Sequence, residues 1–137
     1  MLGCRRWAHG LIAHGHVVYV AAITDYEVRR ELIRMNKRRS LLRLDSLLIQ
    51  PGFRFLPLST PAMRLAAELW ADARTRGRPT ADPQALDADV ILAASVREVE
   101  QGELDGSFIV ASTNVVHLSR FVRSARWEEI DPADPIP

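Results

Sequence analysis

The chain has 137 residues, 47% hydrophobic and 26% charged, which is ordinary for a single globular domain. The formal net charge of +1 gives no indication of a nucleic-acid partner, and a single cysteine excludes an internal disulfide and a thiolate zinc site. The sequence has no apolar run of membrane-spanning length and no recognisable signal peptide, so we expect a cytoplasmic protein that does not enter a membrane.

Predicted helices and strands alternate along the chain. The apolar spacing predicts helices at 4–14, 24–35, 40–48, 60–77 and 86–99, and strands at 17–22, 53–58, 108–111 and 125–130. Thr24 with Glu27 forms a capping-box pattern, and Ser40 and Thr60 are the expected caps of the next two helices. The alternation predicts an α/β domain over 1–130 with a mainly parallel sheet, a loop at 78–84 and a disordered proline-rich tail at 131–137.

Two predicted helices have a clear apolar face. The first contains Val28, Leu32 and Met35, and the second contains Met63, Ala66, Ala67 and Trp70. We expect these faces, together with Trp7, Trp70 and Trp127, to lie in the core. A sheet of this class normally opens with a strand, whereas the first predicted element here is a helix, so we expect a first strand to be missing.

Polar side chains follow three of the predicted strands or begin the next helix. They are Asp25 and Glu27, Asp87 and Asp89, and Thr113 and Asn114. In a parallel sheet these positions share one edge, where ligands bind. The electrostatic repulsion between two carboxylates about 4 Å apart is roughly 4 kcal/mol at an effective dielectric constant of about 20. A divalent cation bound between them removes that repulsion. Oxygen ligands suit Mg²⁺ or Mn²⁺, so the pattern predicts metal-assisted phosphodiester hydrolysis.

Three segments resemble, in order, motifs of the PIN-domain ribonucleases, and the VapC-type toxins are the most similar members. Segment 23–32 resembles the second acidic motif, segment 86–94 the third, and segment 109–118 the strand, Thr-x-Asn/Asp turn and following histidine. The resemblance implies a three-layer α/β/α fold and a Mg²⁺- or Mn²⁺-dependent endoribonuclease. It also implies an RNA substrate, a cognate antitoxin and a homodimer.

Carried over by position, the resemblance makes Glu27 and Asp89 the second and third acidic residues, and it places Thr113 and Asn114 at the fourth acidic or polar position. We expect Glu27 and Asp89 to hold the metal with Asp87 and Asn114 assisting, and Thr113 to contact the substrate. The family also opens with a strand that ends in a metal-binding aspartate, and this chain has no counterpart before Met1. We expect either a start further upstream or a truncated remnant. The alternatives are an inactive module that binds RNA or an antitoxin without cleavage, and a fragment that does not fold stably.

Each candidate residue also has a purely structural interpretation. Glu27 and Asp87 suit helix capping, Asp25 and Asp89 suit the dipole of a helix start, and Thr113 and Asn114 suit a turn. His14, His16 and His117 suit turns or packing. The basic stretch 29–43 is typical of a solvated helix face, with phosphate contact by Arg30, Arg34 and Arg38 as the functional alternative.

Overall fold

The computed structural model describes residues 2–76, 83–102 and 107–136, and within these ranges the chain is a mixed α/β protein in which helices predominate. Its helices are α1 (Leu2–Ala13), α2 (Ala22–Arg34), α3 (Arg38–Leu47), α4 (Thr60–Thr75), α5 (Pro83–Gly102) and α6 (Val115–Leu118). Its strands are β1 (Val18–Ala21), β2 (Phe53–Leu56), β3 (Val110–Ala111) and β4 (Ser124–Ala125). None of the described helices is long and apolar enough to cross a membrane.

The strands form two separate parallel pairs within the described residues, instead of the single sheet expected from the sequence. β1 pairs with β2 in a register that runs from Val18 opposite Phe53 to Ala21 opposite Leu56. β3 pairs with β4 over two residues only, beginning with Val110 opposite Ser124. The parallel orientation is therefore as predicted, but β1 and β3 each have one edge that no described strand covers.

The helix starts predicted at 4, 24, 40 and 86 are two or three residues later than the observed ones. α2 begins at Ala22, directly after the extended backbone of Ala21, so Thr24 lies inside the helix and caps nothing. α3 begins two residues before Ser40. Ser59 is the true cap of α4, because its Oγ accepts a hydrogen bond from the Ala62 amide at 3.2 Å. A helix that continues a strand without a loop needs no capping side chain to turn the backbone.

The C-terminal part of the described chain differs from the predicted secondary structure more than the helix starts do. The strand predicted over 125–130 is limited to β4, and a 3₁₀ turn, Trp127–Glu129, follows it. Residues 131–136 form a turn instead of a disordered tail, since Asp131 Oδ1 accepts a hydrogen bond from the Ala133 amide at 2.9 Å. The loop predicted over 78–84 lies outside the described residues up to position 82, and α5 has already begun at Pro83.

Helix α5 is the centre of the core. One buried cluster joins it to α4 through Ala66, Leu86, Val90 and Ala94. A second cluster joins it to the chain after α6, through Ala93, Val96 and Val122. The alanines matter here because neither Ala93 nor Ala94 exposes any surface, which lets neighbouring elements approach the helix backbone closely.

The apolar faces predicted for α2 and α4 are only partly buried. Helix α2 has no buried residue, and Val28 and Met35 are 44% and 47% exposed. In α4 Ala66 is buried as expected, whereas Met63 and Ala67 are exposed. The three tryptophans are half-buried; Trp7 and Trp127 contact each other with ring centroids 5.9 Å apart. Apolar spacing defines a face, but it does not supply a neighbour to cover that face.

Candidate active site at Asp89

Asp89 is the most unusual carboxylate in the described chain. It lies in the first turns of α5 and is only 9% exposed, next to the fully buried core positions of that helix. Burial raises the pKa of Asp89 above its ordinary value, while the Asn114 hydrogen bond and the charges of His117 and Arg120 act in the opposite direction. The ionised carboxylate has therefore lost much of its hydration, and one side-chain hydrogen bond offsets part of that loss.

Asn114 is the partner of Asp89. Its Nδ2 donates a hydrogen bond to Asp89 Oδ2 at 2.9 Å, across 25 positions of the sequence. Asn114 stands at the cap position of α6, yet its side chain makes no capping bond there. Its own amide donates to Ser112 Oγ at 2.9 Å, which holds the turn after β3 in place. The structure thus joins two of the six candidates that were expected at one edge, and no other pair of the six is hydrogen-bonded in the described residues.

The other acidic candidates are less enclosed. The Glu27 side chain is 42% exposed and its Oε2 lies 3.9 Å from Arg30 Nη2. Asp87 and Thr113 are exposed. Among the described residues neither Glu27 nor Asp87 forms a hydrogen bond with Asp89 or Asn114. Their assignment as metal-binding or assisting groups stays a prediction.

Asp25 has a structural role instead. It accepts two hydrogen bonds at 3.1 Å from the Arg29 guanidinium, and Arg29 Nη2 also donates to Asp45 Oδ1 at 2.8 Å. These two carboxylates raise the pKa of Arg29 further above its ordinary value. Arg29 thus links Asp25 of its own helix α2 to Asp45 of α3, and neither helix has a buried residue. Asp25 therefore contributes to the contact between the two helices, in addition to its position near a helix start.

The donor set fits a cation only in part. Within the described ranges no group of three or more histidine, cysteine, aspartate or glutamate side chains could hold a metal. Mg²⁺ is nevertheless commonly bound by one or two carboxylates together with waters and substrate phosphates. Asp89 suits that open arrangement, in which the substrate completes the coordination, and does not suit a closed protein cage.

Sequence reasoning overlooked a cleft that is lined by three arginines and Glu100 and that includes neither Asp89 nor Asn114 in its lining. An open cleft of about 920 Å³ is lined by Arg97, Arg120 and Arg123 together with Ser119 and Ser124. The two serine hydroxyls hydrogen-bond to each other at 2.8 Å, and the charge of Arg120 acts on Asp89. No signal in the sequence would have found the cleft, because Arg97 is brought to the other two arginines only by the packing of α5 against the chain after α6.

The arginines proposed for RNA contact lie on α2 and α3. Arg34 is bonded to Glu31 at 2.7 Å, which lowers the pKa of Glu31, and both side chains are largely exposed. Arg30 stacks over the Tyr26 ring at 5.2 Å, and Arg38 is exposed at the first turn of α3. This surface agrees with the solvated-face interpretation, and phosphate contact stays a prediction.

Comparison with known proteins adds no relative. No family model matches the chain, and no curated protein and no solved structure matches it. The likeness of segments 23–32, 86–94 and 109–118 to PIN-domain motifs therefore stays a prediction made from the residues themselves.

Proposed function

We propose that this chain is a metal-dependent endoribonuclease of the PIN type, with the α/β/α arrangement of that family. The observation that carries the proposal is the buried Asp89–Asn114 pair, with Oδ2 and Nδ2 2.9 Å apart. Two residues from separate motifs meet at the end of β3, where an α/β protein of this class binds its ligand. A carboxylate that is buried and bonded to a side chain 25 positions away is more consistent with a site than with helix capping.

The chemistry follows from what each side chain can do. Asp89 has to be ionised to hold Mg²⁺ or Mn²⁺, and Asn114 fixes the orientation of its carboxylate. When bound, such a cation activates water and stabilises negative charge on a phosphate. Arg120, whose charge acts on Asp89, would supply positive charge for an RNA phosphate, and Arg97 and Arg123 line the same cleft as Arg120.

The test is cleavage of a mixed structured RNA by the 137-residue chain in the presence of Mn²⁺. We expect cleavage that stops with a chelator and that falls to the chelator level in Asp89→Asn, since the amide cannot supply the negative charge. Asn114→Ala should retain residual activity, reduced roughly 10- to 100-fold, which is typical for a residue that orients a metal ligand.

The matched control is Asp72→Asn, which makes the same chemical change at an exposed carboxylate on α4 that is 60% exposed and paired with Arg76. This variant should cleave like the wild type. Cleavage by Asp89→Asn at the wild-type rate, with circular dichroism showing that both variants are folded, would disprove the assignment of Asp89.

The second candidate is an inactive PIN-like module that binds RNA or an antitoxin without cleaving. Two observations favour it: the described residues contain no cluster of three metal-type ligands, and Glu27 Oε2 already lies 3.9 Å from Arg30. It predicts RNA binding that weakens steeply with salt, because Lys and Arg contacts release counterions from the backbone. Binding would be unaffected by chelator and equal for the wild type and Asp89→Asn.

Fluorescence anisotropy with a labelled single-stranded RNA, measured at several salt concentrations, separates the two candidates. Metal-dependent binding or cleavage that Asp89→Asn abolishes supports the enzyme. Salt-dependent binding without cleavage at any Mn²⁺ concentration supports the inactive module. Analytical ultracentrifugation of the same sample tests the homodimer that the PIN resemblance implies.

A further inference from the structure

The two strand pairs have hydrogen-bonding edges that face away from their partners. The Val18 amide donates to the Gly52 carbonyl, and the Val110 and Ser112 amides donate to Arg123 and Ala125 carbonyls. Because backbone groups alternate in direction along a strand, the amides of Tyr19 and Ala111 point to the opposite edges. Within the described residues no strand pairs with either of these edges.

A cavity of about 430 Å³ lies between these edges, and we name it the inter-strand cavity. It is lined by 16–21 on the β1 side and 107–111 on the β3 side. Apolar side chains of two helices also line it, Trp7 and Leu11 from α1 and Leu92 and Val96 from α5, and Ile130, Pro135 and Ile136 contribute from the end of the chain. Its walls therefore combine two rows of backbone donors and acceptors with apolar side chains.

We propose that the inter-strand cavity accepts an extended apolar peptide segment as a β-strand between β1 and β3. The segment would join the two pairs into one sheet in the order β2, β1, inserted strand, β3, β4. The backbone of an extended peptide presents N–H donors and C=O acceptors on both of its edges, so it can hydrogen-bond to β1 and β3 at the same time. Leaving those edge groups without partners in an apolar cavity is unfavourable.

The cavity also defines the chemistry of the segment. β1 has four residues, so an inserted strand of the same length spans roughly 13 Å at about 3.3 Å per residue. The inserted strand would have helix side chains on its faces and a neighbouring strand at each edge. Such a strand is normally a continuous run of β-branched apolar residues, because neither face is exposed to solvent. An apolar small molecule of similar volume would fill the space but would leave the edge amides without acceptors.

The probe is a fluorescent peptide of four consecutive valines flanked by two lysines at each end. Its matched control carries the same side chains but is N-methylated at the two central valines, which removes backbone donors. We expect saturable binding of the first peptide, an increase in the thermal midpoint of the protein, and binding at least ten-fold weaker for the N-methylated peptide. The readout does not depend on RNA cleavage.

Amide hydrogen exchange followed by NMR gives the second measurement. Peptide binding should slow exchange at Tyr19 and Ala111, whose amides face the cavity, and should change Val18 and Val110 little because they are already bonded. Equal affinity for the two peptides, or binding without protection at Tyr19 and Ala111, would show an apolar pocket and overturn the proposal. Failure of the first peptide to bind at millimolar concentration would also overturn it.

Discussion

At the scale of single residues, Asp89 is subject to two opposing demands: its burial in the fold favours the neutral carboxyl, whereas the candidate site needs the ionised form. Its carboxylate is only 9% exposed, and burial raises its pKa above 3.8. The chain nevertheless places Asn114 and the charges of His117 and Arg120 so that they favour the ionised form. Partial compensation of this kind is more typical of a binding or catalytic group than of a structural aspartate.

The raised pKa of Asp89 predicts a pH dependence of stability. The folded protein keeps the Asp89 proton at pH values where the unfolded chain has lost it, so the Asp89 contribution is fully present below pH 3.8 and is lost as the pH rises through the folded pKa. Relative to Asp89→Asn, the wild type should therefore lose free energy of unfolding across that window and then reach a plateau. Urea unfolding at a series of pH values measures the difference.

The reference for this experiment is Asp72→Asn, which changes an exposed carboxylate of α4. A difference between wild type and Asp89→Asn that stays constant with pH would show that the carboxyl is solvated in the folded protein. Carbon-13 NMR titration of the Asp89 carboxyl gives its folded pKa directly.

At the scale of elements, the positions of helices and strands were largely predictable and their ends were not. The β-branched run before Ala22 and the long apolar spacing of α5 are local properties, and both elements occur where expected. The helix starts were misassigned because Thr24 and Ser40 are suitable caps by composition. Whether a residue caps a helix depends on the direction from which the chain enters, and β1 leads into α2 without a turn.

The connection into β2 gives a prediction at this scale. Gly52 has a φ of 88°, and a Cβ there would lie 2.5 Å from Cγ2 of Ile12 on α1. We expect Gly52→Ala to destabilise the protein by the cost of a left-handed backbone, about 1–2 kcal/mol, plus about 1–3 kcal/mol for the forced repacking of Ile12. Chemical denaturation measures the loss.

Gly15→Ala is the matched control, because Gly15 has a nearly equal φ of 86° and a Cβ added there would meet no atom within 4 Å. It should show only the backbone cost. If both variants lose the same free energy, the close approach of α1 to the turn before β2 contributes nothing to stability.

At the scale of the whole molecule, the packing of α4 against α5 organises the core. The interface is built on small residues: Ala66 of α4 is 4% exposed and Ala94 of α5 is completely buried. By contrast, α2 and α3 have no buried residue and are joined by the Asp25–Arg29–Asp45 bonds. Because these charged side chains remain partly exposed and no apolar residue of the two helices is buried, we expect α2 and α3 to be the least stable part of the fold.

A substitution in the helix pair tests this description of the core. Ala94→Leu adds three carbon atoms at a position with no exposed surface, and we expect a loss of about 1–3 kcal/mol in the free energy of unfolding. Ala67→Leu makes the same change on the exposed side of α4 and should alter stability by no more than about 0.5 kcal/mol. Equal effects would mean that α4 and α5 are not closely packed in solution.

From the sequence alone we could predict the α/β class, the parallel strand pairing and a set of six polar residues near strand ends that includes Asp89 and Asn114. These follow from local periodicity and from the rule that parallel strands end on one edge. Only the tertiary structure decided which apolar faces are covered, that Arg97 joins Arg120 and Arg123, and that β1 and β3 leave an apolar cavity between them. Those features depend on contacts between residues far apart in the chain, which local spacing does not encode.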